Sequence, residues 1–154
     1  MGRKALGGAY DIIMKADSDT EKLQANLTTY FTAAYMGALP ENQIKMLAKQ
    51  LTVPWLTDFI KYDPAPNLAK VTCPTLALNG SMDSQVPAKE NLAAIQTNIS
   101  KSGNKDVTVQ ELEGLNHLFQ SCKTGLPQEY AKIEETFSPV ALGIISSWII
   151  EKTK

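Results

Sequence analysis

Histidine occurs once in the 154 residues, at position 117. Any proton transfer through an imidazole must therefore use His117. Asp83 lies 34 residues earlier and is a carboxylate that could orient it. An Asp that accepts from one ring nitrogen fixes the tautomer and leaves the other nitrogen free to take a proton from a hydroxyl. That is the base half of a nucleophilic relay. Ser81 and Ser84 flank Asp83, and Cys122 lies five residues past His117. A Cys–His pair is one option, but Cys122 reads better as a small apolar residue or an idle thiol. Each residue also has a plainer role. Asp83 could serve a turn and be satisfied by backbone amides. His117 could be a loop histidine with no proton to move. Asn116 could bond its own loop or a ligand.

Composition removes other chemistries. One histidine leaves no zinc or iron site built on several imidazoles. Cys73 and Cys122 are 49 residues apart and no Cys-x-x-Cys occurs, so neither a dithiol redox centre nor a zinc knuckle is expected. We expect no metal and no cofactor. The 15 Lys and Arg balance 16 Asp and Glu, for a formal charge of -1. Neither half of the chain is strongly basic, which argues against nucleic acid as a partner. Apolar residues make up 44% and charged residues 20%, as in an ordinary globule with a core. The longest apolar stretch, 140–150, is too short to span a bilayer and contains Ser146 and Ser147. The opening residues lack the apolar core of a secretory signal. No membrane association is expected, and a cytoplasmic location is the default expectation.

The elements that must position Asp83 and His117 lie in the second half of the chain. Residues 71–79, Val-Thr-Cys-Pro-Thr-Leu-Ala-Leu-Asn, form a short apolar run suited to a parallel strand. A loop follows to Val86. Pro87 then opens a helix with Leu92, Ile95 and Ile99 on one face, ended by Ser102-Gly103-Asn104. Residues 107–112 predict a second strand, completing a βαβ unit. Both strand ends then lie on one edge, where ligand sites of open α/β sheets collect. Asp83 follows the first strand and His117 the second. Gly80 and Gly114 mark tight turns or close approaches. A last helix runs from Pro139 to about Glu151, with Trp148 in a packing role.

The front part, residues 1–66, reads as helical. Three helices are expected, over Asp19–Tyr35, over Glu41–Gln50 and from Pro54, carrying apolar stripes at helical spacing. Pro64 and Pro66 stop the third. Tyr30, Tyr35, Trp55, Phe59 and Phe119 either line a pocket or pack a core.

The residues 72–87, Thr-Cys-Pro-Thr-Leu-Ala-Leu-Asn-Gly-Ser-Met-Asp-Ser-Gln-Val-Pro, resemble the acid-bearing strand and loop of the α/β-hydrolase superfamily. There a proline-led apolar strand precedes Gly-x-x-Asp-x-x-Val-Pro. Residues 113–119, Glu-Gly-Leu-Asn-His-Leu-Phe, resemble its later Gly-x-x-His segment. The order, Asp then His, is that of the superfamily. The resemblance covers about residues 60–154, and the front helices look like the cap that many members insert. By pattern the chain is similar to bacterial serine esterases or acyl hydrolases. The resemblance implies a partial α/β-hydrolase fold, with a short parallel βαβ sheet, flanking helices and a helical cap over 1–66. It implies Asp83 as triad acid, His117 as general base and a small-molecule ester or acyl substrate in the intact parent.

One part of the pattern is missing. The superfamily's nucleophile elbow, Gly-x-Ser-x-Gly, does not occur in these residues. The expectation is the C-terminal portion of a serine hydrolase, with acid and base but no nucleophile, inactive by itself. The free edge of a two-strand sheet invites pairing with a second copy, so a homodimer is expected through it. Two alternatives stand beside this reading. One is a non-catalytic binding or oligomerisation module. The other is an unrelated doubly wound domain with an anion site near Pro87, in which Asp83 and His117 lie apart.

Overall fold

The computed structural model describes residues 2–154. They form two compact units, divided between Asp63 and Pro64. The first holds four helices: α1 (Gly2–Lys15), α2 (Thr20–Tyr35), α3 (Glu41–Leu51) and α4 (Pro54–Lys61). The helix α1 was not expected from the sequence, because Gly2, Gly7 and Gly8 lower helix propensity. Its apolar residues nonetheless recur every fourth position, and Ala5, Ala9 and Ile13 are buried. Gly8 has a packing reason. A Cβ there would stand 2.2 Å from the Tyr30 hydroxyl of α2.

Asp19 starts α2 by accepting from the Lys22 N–H at 2.9 Å, which satisfies an otherwise orphaned donor. At its other end Met36 takes a left-handed conformation, φ 49°, and Gly37 follows with φ 82°. Leu23, Leu27 and Phe31 of α2 form the centre of the core with Ile13, Ile44, Ala48 and Leu51. Phe31 is 0% exposed and lies 5.4 Å from Tyr30 and 6.0 Å from Tyr35, ring centre to ring centre. These two tyrosines therefore pack the core. The aromatic face expected of α4 points outward instead: Trp55 is 70% and Phe59 72% exposed. Leu56 and Ile60 make the inward contacts. The side chain of Lys61 donates to the Ala16 carbonyl at 2.8 Å, just beyond the end of α1.

The second unit is an α/β arrangement. It runs α5 (Ala65–Leu68), β1 (Thr75–Gly80), α6 (Ala88–Ser100), β2 (Val107–Leu112), a 3-10 helix (Pro127–Lys132) and α7 (Pro139–Lys152). The two strands are parallel, in register from Thr75 opposite Val107 to Gly80 opposite Leu112. β1 begins four residues later than the apolar run suggests. Pro74 has no N–H for a ladder, and the Val71 and Cys73 carbonyls accept from the Asn104 side-chain amide at 3.2 and 2.8 Å. The single turn α5 begins within the stretch expected to stop a helix, and the 3-10 helix lies in a stretch for which the sequence predicted no element.

Strand alternation puts Leu76 and Leu78 on one face of the sheet. Leu78 joins Leu112, Leu115, Ala141, Phe137 and Ile144 in the core between this face and α7. The Trp148 indole N–H donates to the Thr108 hydroxyl at 3.2 Å, so it both packs and bonds on β2. The helix α6 packs against both strands. Val140, Leu142, Ile149 and Ile150 of α7 remain exposed. No described helix is long and apolar enough to cross a membrane.

Truncating Phe31 to Ala removes the side chain around which the helical unit is packed. Burial of this kind sets the expected loss at about 3–5 kcal/mol. Urea unfolding followed by circular dichroism checks it, and a loss below about 1 kcal/mol would mean that the site collapses freely.

Candidate active site

The parallel register brings the ends of β1 and β2 side by side, with Gly80 opposite Leu112. The loops that leave them are then joined. The Ser81 N–H donates to the Leu112 carbonyl at 2.9 Å, and the Met82 N–H to the Leu115 carbonyl at 3.0 Å. The Gly114 N–H donates to the Ser81 hydroxyl at 2.9 Å. Gly80 permits this crossing. A Cβ on it would stand 2.1 Å from the Leu115 carbonyl oxygen and 2.9 Å from that of Asn116. The close approach expected of Gly80 is thus to the backbone of the histidine loop. Gly114 has φ 72° and turns the chain into that loop.

The loop itself is built around Asn116, which is 0% exposed. Its side-chain oxygen accepts from the N–H groups of Leu118 and Gln120 at 2.9 and 3.0 Å. Its amide donates to the Gln120 side-chain oxygen at 3.0 Å. The Gln120 amide in turn donates to the Glu135 carbonyl at 2.9 Å. Asn116 therefore serves the loop backbone, one of the two roles its sequence left open. Phe119 closes the turn at φ 56°, and its ring stacks on Phe137 with centres 5.3 Å apart. That ring packs the core instead of lining a pocket. The Phe119 carbonyl accepts from the Ser138 N–H at 2.7 Å, which fastens the loop to the start of α7. His117 sits in the loop with its side chain 38% exposed.

Its Nδ1 lies 2.9 Å from Asp83 Oδ2. Asp83 is only 5% exposed and uses both oxygens. Oδ1 accepts from the N–H groups of Gln85 and Val86 at 2.9 and 2.8 Å. Oδ2 accepts from the Asn79 side-chain amide at 3.1 Å as well as facing the imidazole. Burial pushes the carboxyl up. The Val86 N–H, the His117 ring and the Gln85 N–H together outweigh that and hold its pKa below the ordinary 3.8. An ionised carboxylate is an acceptor only, so the contact needs the proton on Nδ1, and in a neutral ring the lone pair is then on Nε2. Nε2 makes no hydrogen bond to any described residue. Asp83 therefore fills both of its expected roles, turn anchor and imidazole partner. The 2.9 Å separation counts against the reading in which the two loops diverge.

The nearby nucleophile candidates each make a contact away from His117. The Ser81 hydroxyl accepts from Gly114, and that of Ser84 donates to the Gly125 carbonyl at 2.8 Å. The Cys122 thiol lies 3.4 Å from the Gly114 carbonyl, and burial raises its pKa above the ordinary 9.0. It is held as a thiol, the weaker nucleophile. Two site residues escaped the sequence reading. Asn79, buried at the end of β1, was read only as part of the strand. A polar residue closing an apolar run was its signal. Glu129 lies in a stretch with no periodicity and gave none. No family model, curated protein or solved structure matches this chain.

The folded pKa of Asp83 is depressed, so its stabilising contribution is present above 3.8 and is lost as pH falls through the lower folded value. Wild type is therefore expected to exceed Asp83→Asn in urea midpoint at neutral pH, and the gap to close in acid. A gap that stays constant across the acid range would overturn the ionised, multiply bonded carboxylate.

Proposed function

We propose that Asp83 and His117 are the acid and base of a serine hydrolase acting on carboxylic esters or related acyl compounds. In this reading the 154 residues are a C-terminal portion of an α/β-hydrolase and the nucleophilic serine comes from outside them. The single observation that carries it is the 2.9 Å contact between a buried carboxylate and Nδ1 of the one histidine, with Nε2 left available. The Asp-then-His order and the parallel strands beneath the pair support it further.

The chemistry follows from the free lone pair. A serine hydroxyl attacks the acyl carbonyl while Nε2 takes its proton. The tetrahedral intermediate collapses, and His117 returns the proton to the departing alcohol. Water then attacks the acyl-enzyme carbonyl, giving a proton to Nε2, and the serine leaves with it as the acid is released. Asp83 stays ionised throughout and holds the ring on its Nδ1–H. No metal and no cofactor take part in this scheme.

Two measurements test it. Carbethoxylation of the single histidine, followed by ultraviolet absorbance, is expected to run several-fold slower in Asp83→Asn, which no longer fixes Nε2 as the lone-pair nitrogen. Equal rates in the two folded proteins would overturn the base assignment. Intact-mass analysis with a fluorophosphonate probe is expected to show no adduct on the folded chain. An adduct abolished by His117→Ala would place the nucleophile within these residues instead.

A second reading, a non-catalytic binding or oligomerisation module, is favoured by a different observation. Among the described residues β1 pairs only with β2, and Val140, Leu142, Ile149 and Ile150 of α7 are exposed. An open strand edge is a pairing template, and exposed apolar surface is a second place for a partner. This reading expects a stable complex without turnover; light scattering tests the homodimer, and a monomer at every accessible concentration would remove that form of it.

A further inference from the structure

The turn that carries Asp83 is braced from outside by a second loop. Ser84 donates to the Gly125 carbonyl at 2.8 Å, and the Gln85 side-chain amide donates to the Tyr130 hydroxyl at 2.9 Å. Gly125 lies so close that a Cβ on it would stand 1.9 Å from the Met82 carbonyl oxygen, and its φ is 68°. Only glycine fits there on both grounds. The acid turn therefore rests on the backbone of residues 123–125.

That backbone is in turn gathered by one side chain. The Glu129 carboxylate accepts from the N–H groups of Lys123, Thr124 and Gly125 at 2.9, 2.9 and 3.2 Å, and from the Thr124 hydroxyl at 2.7 Å. Three successive amides converging on one anion make a nest. Here the anion is the protein's own. The Thr124 hydroxyl and the three N–H groups hold the Glu129 pKa down to about 2.

We propose that Glu129 is a positioning residue for the Asp83–His117 pair. Its charge closes the 123–125 turn, the turn presents the Gly125 carbonyl to Ser84, and Ser84 fixes the turn from which Asp83 reaches the imidazole. Glu129 touches neither His117 nor Asp83 and acts only through this chain of contacts. The proposal rests on the reading of the pair as acid and base, but it can fail separately.

The test is the tautomer of His117, read from its ring nitrogen shifts by NMR on the full chain at alkaline pH, where imidazole is neutral. Wild type is expected to carry its proton on Nδ1. In Glu129→Gln the amide cannot accept from four donors at once, and the proton is expected to redistribute toward the mixture of free imidazole. The far-UV spectrum serves as the folding control. Ser84→Ala cuts the next link and is expected to do the same, which keeps the test decisive if Glu129→Gln does not fold. A wild-type protein without the Nδ1–H tautomer would overturn the acid–base reading and this proposal with it. A wild-type tautomer kept in folded Glu129→Gln, or in Ser84→Ala if the former is unfolded, would overturn the proposal alone. Protonation supplies an independent check. The folded pKa of Glu129 is depressed from 4.5 to about 2, so the stability gap between wild type and Glu129→Gln should be full above pH 4.5 and lost toward about 2.

Discussion

The approach of one backbone to another at Gly80 is the constraint on which the site depends. The carbonyl of Leu115 occupies the space that any Cβ at position 80 would need. Because of that contact, the loop after β2 folds back over the end of β1 and does not splay away. The Met82 N–H then reaches Leu115, and the Ser81 hydroxyl reaches Gly114. Asp83 and His117 meet because their loops have already been joined by three other polar contacts. Without the crossing, a parallel pair of strands would supply only a shared edge.

Burying a carboxylate is costly unless its lone pairs are filled. Asp83 fills them with two backbone N–H groups, the Asn79 amide and the imidazole. The backbone donors belong to its own turn, so the geometry that holds the charge is also the geometry that aims it. The histidine loop is built on the same economy. Asn116 is buried with every polar atom of its side chain occupied by its own loop. His117 is thus partly exposed in a loop whose polar members Asn116 and Gln120 are buried and satisfied.

Much of this was legible in the sequence, for reasons that can be named. The β1–α6–β2 order follows from two short apolar runs separated by a helical stripe and bounded by Pro87 and Gly103. Asp83 and His117 stood out by residue type and by their places after strand ends. The contact that joins them required tertiary information, yet Gly80 carried part of the signal. The first helix was illegible because its glycines weigh against helix while its Ala5, Ala9 and Ile13 stripe is sparse. The outward turn of Trp55 and Phe59 was missed because an aromatic pair at helical spacing does not say which face is inward. Glu129 gave no local pattern at all. A carboxylate that closes a loop by accepting amides a few residues away looks, in sequence, like any solvated acid.

The parallel register has a kinetic side. Thr75 pairs with Val107, and no tight hairpin can join them. The chain must close a long loop before the first ladder bond forms, and the entropy of closure is lost before the contacts return it. The helical unit faces no such delay, since α1, α2 and α3 pack on near neighbours along the chain. Topology of this kind makes non-local sheets the slower part to form. The imidazole and carboxylate lie beyond the far ends of those strands, so they are expected to come together with or after the slow event. Their encounter is a late reporter of folding, visible in the one histidine of the chain.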